Sequence, residues 1–332
     1  MKVYSFGIET VPAAGISAED GILIIGSVRN ENYKIMLLKL NYEEELEWFK
    51  LFGGKDDWEG HSIAKVNDGY LIGGAVEGIA TPNGGKSWRA YLAKIDGNGN
   101  KIWERKYHIL GNECVYSILP LEDGILLGGE ASDDSKKGFF LMKTNENGEP
   151  LWFRTYDKWE DAVFGGIAMI NDSIMLIGSS KNRNGWEIHL IRVDKEGDIL
   201  EEKTLVNGVV FDVVSTEKGI LLAGEHNERF YVAKLSEENE ITWEKSFRNG
   251  AAIALESVKD AILVGGELNR KAVLVKISEE GEILWKKELW ENGWVQVVKQ
   301  GKDRLFVTGM VESEGKEYMG IEFLKEVKKL KR

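Results

Sequence analysis

Asp20-Gly21-Ile22-Leu23-Ile24-Ile25-Gly26 is a turn, four apolar residues and a closing glycine. The phrase, or a close variant, returns at Asp68–Gly74, Asp123–Gly129, Asp172–Gly178, Lys218–Gly224, Asp260–Gly266 and Asp303–Gly309. The closing glycines, at 26, 74, 129, 178, 224, 266 and 309, lie 42 to 55 residues apart. A length of 332 residues would by itself suggest two domains. Self-similarity at this period points instead to one repeat architecture.

Working outward, each copy has the same four runs. One precedes the Asp-Gly turn, as in Ser62-Ile63-Ala64-Lys65-Val66, and the quoted phrase is the second. The third ends in apolar-Lys-apolar, as in Leu38-Lys39-Leu40 and Ala93-Lys94-Ile95. The fourth carries Trp48, Trp103, Trp152, Trp243 or Trp285, with Glu201 in that column of the fourth copy. The turn before it is Asp96-Gly97-Asn98-Gly99 or a relative, whose last position favours a left-handed residue. Asn239 and Glu44 occupy that position in two copies. Short apolar and β-branched runs bounded by turns read as strands. Four antiparallel strands at this period predict an all-β fold, a seven-bladed β-propeller of four-stranded antiparallel blades.

The seventh copy lacks a Trp run. Lys2-Val3-Tyr4-Ser5-Phe6 aligns with Trp243-Glu244-Lys245-Ser246-Phe247, so the N-terminal strand is expected to complete the last blade. The expected organisation is a single domain over 1–324, with blades near 8–54, 55–110, 111–158, 159–206, 207–248, 249–291 and 292–324 plus 1–7. A basic tail follows at 325–332.

Composition bounds the function classes. A net charge of −12 argues against nucleic acid, whose phosphates need a basic surface. The apolar runs are too short to span a bilayer, so no membrane role is expected. Met1–Gly7 lacks the apolar core of a signal peptide, and a cytoplasmic monomer is expected. Only two Gln beside abundant Lys and Glu suggest a thermostable chain. The single Cys114 excludes an internal disulfide and a cysteine-based metal site. His61, His108, His189 and His226 fall in different copies without metal-ligand spacing and read as isolated strand or surface histidines, so no metal is expected. Gly84-Gly85-Lys86-Ser87 lacks the upstream glycine of a phosphate loop, and no catalytic motif is visible.

Lys94-Ile95-Asp96-Gly97-Asn98-Gly99-Asn100-Lys101-Ile102-Trp103 resembles the tryptophan-docking repeat of pyrroloquinoline-quinone-like propellers, and is similar to repeat propellers common in archaea. The resemblance implies that the Trp wedges between neighbouring blades, with Trp103, Trp152 and Trp285 matching best. The vicinal cysteines and calcium site that hold the quinone in that family have no counterpart, so no cofactor is expected.

Five of the eleven Trp fill the repeated column. The other six, Trp58, Trp88, Trp159, Trp186, Trp290 and Trp294, fall in the 2–3 loops and inter-blade connections, which a blade's topology places on one face. That face also holds the largest insertion, Ala75–Trp88. A polar column precedes each first strand: Asp57, Asn112, Asp161, Asn207, Asn249 and Asn292, with Glu9 in the first copy. Its simplest reading is turn capping; its functional reading is a ring of carboxylates and amides at the channel mouth. Lys50, Arg105, Arg154, Lys203, Lys245 and Lys287, two residues beyond the Trp column, read as edge protection.

The expected function is a non-catalytic binding or scaffold propeller. Its Trp-rich loop face would take a protein segment or a small polar or sugar ligand. The alternatives are a sugar-acting hydrolase or lyase, or a quinone-like oxidoreductase, with Asp57, Glu59 and Asp161 as candidate acids. A purely structural platform is a third class.

Overall fold

A computed structural model of the chain describes residues 1–80, 86–133, 136–170, 172–302 and 304–325. The residues at 81–85 of the largest insertion, and all of the basic tail beyond Lys325, lie outside the described residues. Seven four-stranded antiparallel sheets are present, and no described residue is helical.

The innermost strand of each blade is β2 (Glu9–Ser17), β6 (Trp58–Val66), β10 (Asn112–Leu121), β14 (Ala162–Ile170), β18 (Val209–Thr216), β22 (Gly250–Val258) or β26 (Gly293–Gln300). These strands touch their counterparts in the two adjacent blades, closing a ring about a central channel. Each of the first six blades then runs outward in sequence order. Blade one continues as β3 (Gly21–Arg29), β4 (Tyr33–Asn41) and β5 (Leu46–Phe52). Blade two continues as β7 (Gly69–Ala80), β8 (Lys86–Ile95) and β9 (Lys101–Tyr107).

The seventh sheet is ordered β1-β28-β27-β26, with β1 at Lys2–Tyr4, β27 at Arg304–Ser313 and β28 at Lys316–Lys325. Lys2 faces Ile321 and Tyr4 faces Met319. The N-terminal strand therefore closes the ring as expected. Tyr4 stacks on Phe6 at 5.8 Å and Phe6 on Phe49 of blade one at 4.2 Å. The junction is thus aromatic as well as hydrogen-bonded.

The core is divided into seven apolar layers, each shared by two adjacent blades. This explains the unbroken apolar runs of the second strands. Ile22, Leu23, Ile24 and Ile25 are all buried, because both faces of a mid-blade strand pack against a neighbour. The third-strand Lys reaches back to the Asp of its own first turn. Lys39 lies 2.6 Å from Asp20 and Lys94 lies 2.7 Å from Asp68, while Lys143 pairs with Asp123. The apolar-Lys-apolar motif is therefore a clamp across the base of the blade.

The outer Trp of one blade rests against the left-handed glycine of the next blade's 3–4 turn. A Cβ on Gly99 would meet the Trp48 ring at 2.8 Å, and one on Gly148 would meet Trp103 at 2.9 Å. Gly197 stands in the same relation to Trp152, and Gly281 to Trp243. Two junctions use other partners. Glu201 Oε2 accepts a 3.1 Å hydrogen bond from Asn239, which holds the glycine position at φ 63°. Lys2 donates a 2.8 Å bond to the carbonyl of Glu44, at φ 69°. The irregular residues of the two columns are thus matched to each other across the blade boundary.

Candidate functional site

Every innermost strand contains a β-bulge at the same register, one residue beyond the point where it faces the closing glycine of its neighbour. The glycine is required there because the bulge swings a carbonyl over its Cα. A Cβ would lie 2.1 Å from Val11 O at Gly26, 1.9 Å from Glu59 O at Gly74 and 1.8 Å from Cys114 O at Gly129. Gly224, Gly266 and Gly309 meet their neighbour's carbonyl in the same way, while at Gly178 the Phe139 ring, at 2.3 Å, is closer than Val163 O, at 2.7 Å. The residue that defines the sequence repeat is therefore the imprint of the bulge.

The extra residue of each bulge lines the channel: Ala13, His61, Tyr116, Gly165, Phe211, Ile253 and Gln296. The scaffold repeats at these positions but the chemistry does not. The cavity they surround has a volume of about 560 Å³. Tyr116 and Phe211 are exposed within it, at 36% and 41% of their surface.

Polar groups concentrate where blades two and three meet. His61 Nε2 lies 3.3 Å from Glu59 Oε2, and the His61 ring lies 4.8 Å from that of Tyr116. Burial opposes a charge on His61, but Cys114 and Glu59 outweigh it and hold the imidazole pKa above its ordinary range. Burial pushes the Tyr116 hydroxyl up, with Cys114, Glu130 and Glu59 adding to the effect. Glu130 is also raised by burial, although its Oε1 accepts a 2.9 Å bond from the Phe164 amide. Glu59, Tyr116 and Glu130 also border a recess of about 180 Å³, together with Trp88, Asn112, Glu113, Cys114 and Lys137. Tyr116 and Glu130 line both spaces, so the recess and channel share a wall.

Across the channel, Asp212 follows the Phe211 bulge. Its Oδ1 accepts from the Val213 amide at 2.8 Å and its Oδ2 from the Leu255 amide of the next blade at 2.7 Å. Burial pushes its pKa up to about 6, against the pull of the Leu255 amide and Lys299. Lys299 itself pairs with Glu256 at 2.5 Å.

The sequence-selected residues are distributed as follows. Trp58 is buried between blades one and two, edge-on to Tyr91 at 5.2 Å, with Lys106 Nζ over its ring at 4.3 Å. Trp290 is buried between blades six and seven and donates to Met310 O at 2.9 Å. Trp159 is half-buried, stacked on His189 at 5.3 Å and tilted against Phe139. Trp186 is half-buried at the start of β16 (Gly185–Val193). Trp294 donates to the bulge residue Gln296 at 3.1 Å. Trp88 reaches the recess.

In the polar column, Asp57 Oδ1 accepts from the Tyr33 amide at 2.7 Å, and Asn112 Oδ1 from the Trp88 amide at 3.0 Å. Asp161 lies 3.2 Å from Lys137. Each ties a first strand to the third strand of the preceding blade. Asn249 and Asn292 hold left-handed turns, at φ 58° and 51°, and the Asn207 carbonyl contacts His226. Glu9 accepts from the Tyr33 hydroxyl at 2.9 Å. The amide contacts of Asp57 and Asn112 and the left-handed turns at Asn249 and Asn292 have the form of turn caps, whereas Asp161 and Glu9 make side-chain contacts.

The sequence reading missed the bulge residues. Its treatment of His61 as isolated also fails, since Glu59 and Tyr116 stand beside it. The other histidines behave as packing groups where they are buried: His189 contacts Ser180 at 2.8 Å and Thr204 at 3.1 Å. Among the described residues no three His, Cys, Asp or Glu are placed to hold a metal ion. No helix among them is long and apolar enough to cross a membrane.

Neither protein-family models nor curated proteins give a match to this sequence. Solved structures do. Drosophila Semaphorin 2a aligns over 98% of this chain and 75% of its own, at 10% identity and a TM-score of 0.59. The Cps50 (Swd1) β-propeller domain of Myceliophteria thermophila aligns over 94% and 99%, at 10% identity and 0.56. Pyrococcus horikoshii acylaminoacyl peptidase aligns over 96% of this chain and 53% of its own, at 14% identity and 0.54. At these identities the likeness is one of fold, and the fold is a seven-bladed β-propeller.

Proposed function

We propose that this chain is a non-catalytic binding propeller, built from repeats of the pyrroloquinoline-quinone-like type. It holds a small polar or sugar ligand, or a protein segment, in its central channel. The observation that supports this reading is the bulge ring. Seven equivalent backbone irregularities bring seven different residues to one space, six of them with side chains and the seventh Gly165, as a rigid scaffold carrying a variable reading surface would. Aromatic faces from Tyr116 and Phe211 supply stacking area, and Glu59, His61 and Glu130 supply orientation at one end. Trp88 and Trp294 contribute at the rim, Trp88 in the recess and Trp294 by bracing Gln296.

A thermal-shift screen of glycans, peptides and metabolites should yield ligands that raise the melting temperature. Tyr116→Ala and Phe211→Ala should each weaken such a ligand by roughly tenfold or more, with the unliganded melting temperature nearly unchanged. Ligands indifferent to both substitutions would place binding outside the channel and overturn the reading.

A further inference from the structure

Four charged side chains among the described residues border the channel: His61, Glu130, Asp212 and Lys299. Each is already matched within the wall. His61 faces Glu59 at 3.3 Å. Glu130 accepts from the Phe164 amide at 2.9 Å and lies 3.8 Å from Lys137. Asp212 accepts from the Val213 amide through one oxygen, at 2.8 Å, and from the Leu255 amide through the other, at 2.7 Å. Lys299 pairs with Glu256 at 2.5 Å. An ion entering this channel would shed water and meet only charges that are already engaged, so its desolvation would go uncompensated. The wall therefore favours an uncharged ligand, although the chain itself carries a net charge of −12.

The uncharged part of the wall is not uniform. Blades five and six present Phe211 and Ile253 at their bulges, Phe211 exposed and Ile253 half-buried. Val214 borders the channel further along blade five, and the buried Leu255 and Val298 close the wall of blades six and seven. Blade seven presents Gln296 at its bulge. Gln296 Oε1 accepts from Trp294 at 3.1 Å, and this contact identifies the oxygen end of the amide. The nitrogen is the end left for a ligand. One neutral donor thus stands beside an aromatic ring and an aliphatic side chain of the two preceding blades. A free sugar, hydroxylated along every edge, would set hydroxyls against Ile253 and Val214 without partners. A hydrocarbon body would not.

We infer that the channel takes an uncharged amphiphile, its carbonyl or hydroxyl oxygen accepting from Gln296 Nε2 and its short hydrocarbon body lying over Phe211 and Ile253. The inference deepens the channel-binding reading above and rests on it. The volume of about 560 Å³ is within the range that holds a small molecule.

The experiment is a ligand-observed NMR titration of the full chain at constant ionic strength and pH 7. The probes are the straight-chain primary amides from propanamide to hexanamide, with hexanoate and hexylammonium as charged counterparts of the longest. Affinity should rise about three- to fourfold with each added methylene. Hexanamide should bind about tenfold more tightly than either ion. Gln296→Glu keeps an oxygen for Trp294 and adds a negative charge that nothing in the wall matches, so hexylammonium should then overtake hexanamide. Should Gln296→Glu fail to fold, Ile253→Ser tests the body instead, and should cut the gain per methylene to less than about twofold.

Either ion binding the parent as tightly as hexanamide, or an affinity indifferent to chain length, would overturn the inference. So would amide binding that neither substitution alters, since the amides would then sit outside this sector. Two outcomes separate the inference from the reading beneath it. If no amide binds while ligands found by thermal shift respond to Tyr116→Ala or Phe211→Ala, the inference alone falls. If every ligand found, amides included, is indifferent to those two substitutions, the channel reading falls with it.

Discussion

A Cβ at Gly129 would lie 1.8 Å from the Cys114 carbonyl oxygen, a separation no side chain tolerates. Gly129→Ala should therefore cost about 3 kcal/mol or more in urea unfolding, because relief means flattening the bulge and withdrawing Tyr116 from the channel. Gly97, with nothing within 4 Å of its would-be Cβ, supplies the control, and Gly97→Ala should be close to neutral. Asp212 makes a different prediction at the same scale. Its folded-state pKa is raised from 3.8 to about 6, so the native state keeps a proton that the unfolded chain has already released. Stability therefore declines as pH climbs from about 4 through about 6, and stays at the lower level above that window. Asp212→Asn keeps an acceptor for Leu255 but removes the titration. Its stability relative to the parent should rise across that window and level off above it, measured by denaturant unfolding at a series of pH values. A constant difference would mean that another group carries the slope.

The junctions between blades couple positions that lie far apart in sequence. Glu201 and Asn239 together stand where four other junctions have Trp over Gly. Glu201→Trp alone should destabilise, since its ring would meet the buried Asn239. Asn239→Gly alone should destabilise by leaving Glu201 without its donor. The double replacement should recover most of both losses, which a double-mutant cycle in denaturant would show as a coupling of about 1 kcal/mol or more. Additive losses would mean that the two positions are independent. The elements themselves were legible because strand runs, Asp-Gly turns and Trp columns recur in register. The bulges were not. A bulge inserts one residue whose side chain faces open space, so nothing constrains its type, and Ala13, His61, Tyr116 and Gln296 share no property a pattern could catch. The signal that could have found them was already in view, because a glycine at every copy of a buried mid-blade strand asks what crowds it. Topology assigns the six Trp to the loops at one end of the blades. Topology does not say how deep a side chain goes, and Trp58 and Trp290 are filled in as packing.

The ring is held at one place by a strand of three residues, Lys2–Tyr4, backed by the stack of Tyr4, Phe6 and Phe49. Removing residues 1–7 deletes this strand and exposes the edge of β28, so the melting temperature should fall sharply and self-association should rise. An unchanged melting temperature with a monomeric profile in light scattering would show that the other six junctions suffice. The same closure has a consequence for biosynthesis. Lys2 pairs with Ile321, about 320 residues later in the chain. At about 5–20 residues per second, the opening strand waits roughly 15–60 s before its partner exists. The blades between them can therefore form while the strand Lys2–Tyr4 is still unpaired. A chaperone or a foreign strand would have its best access to this protein during that interval, and translation of β28 ends it.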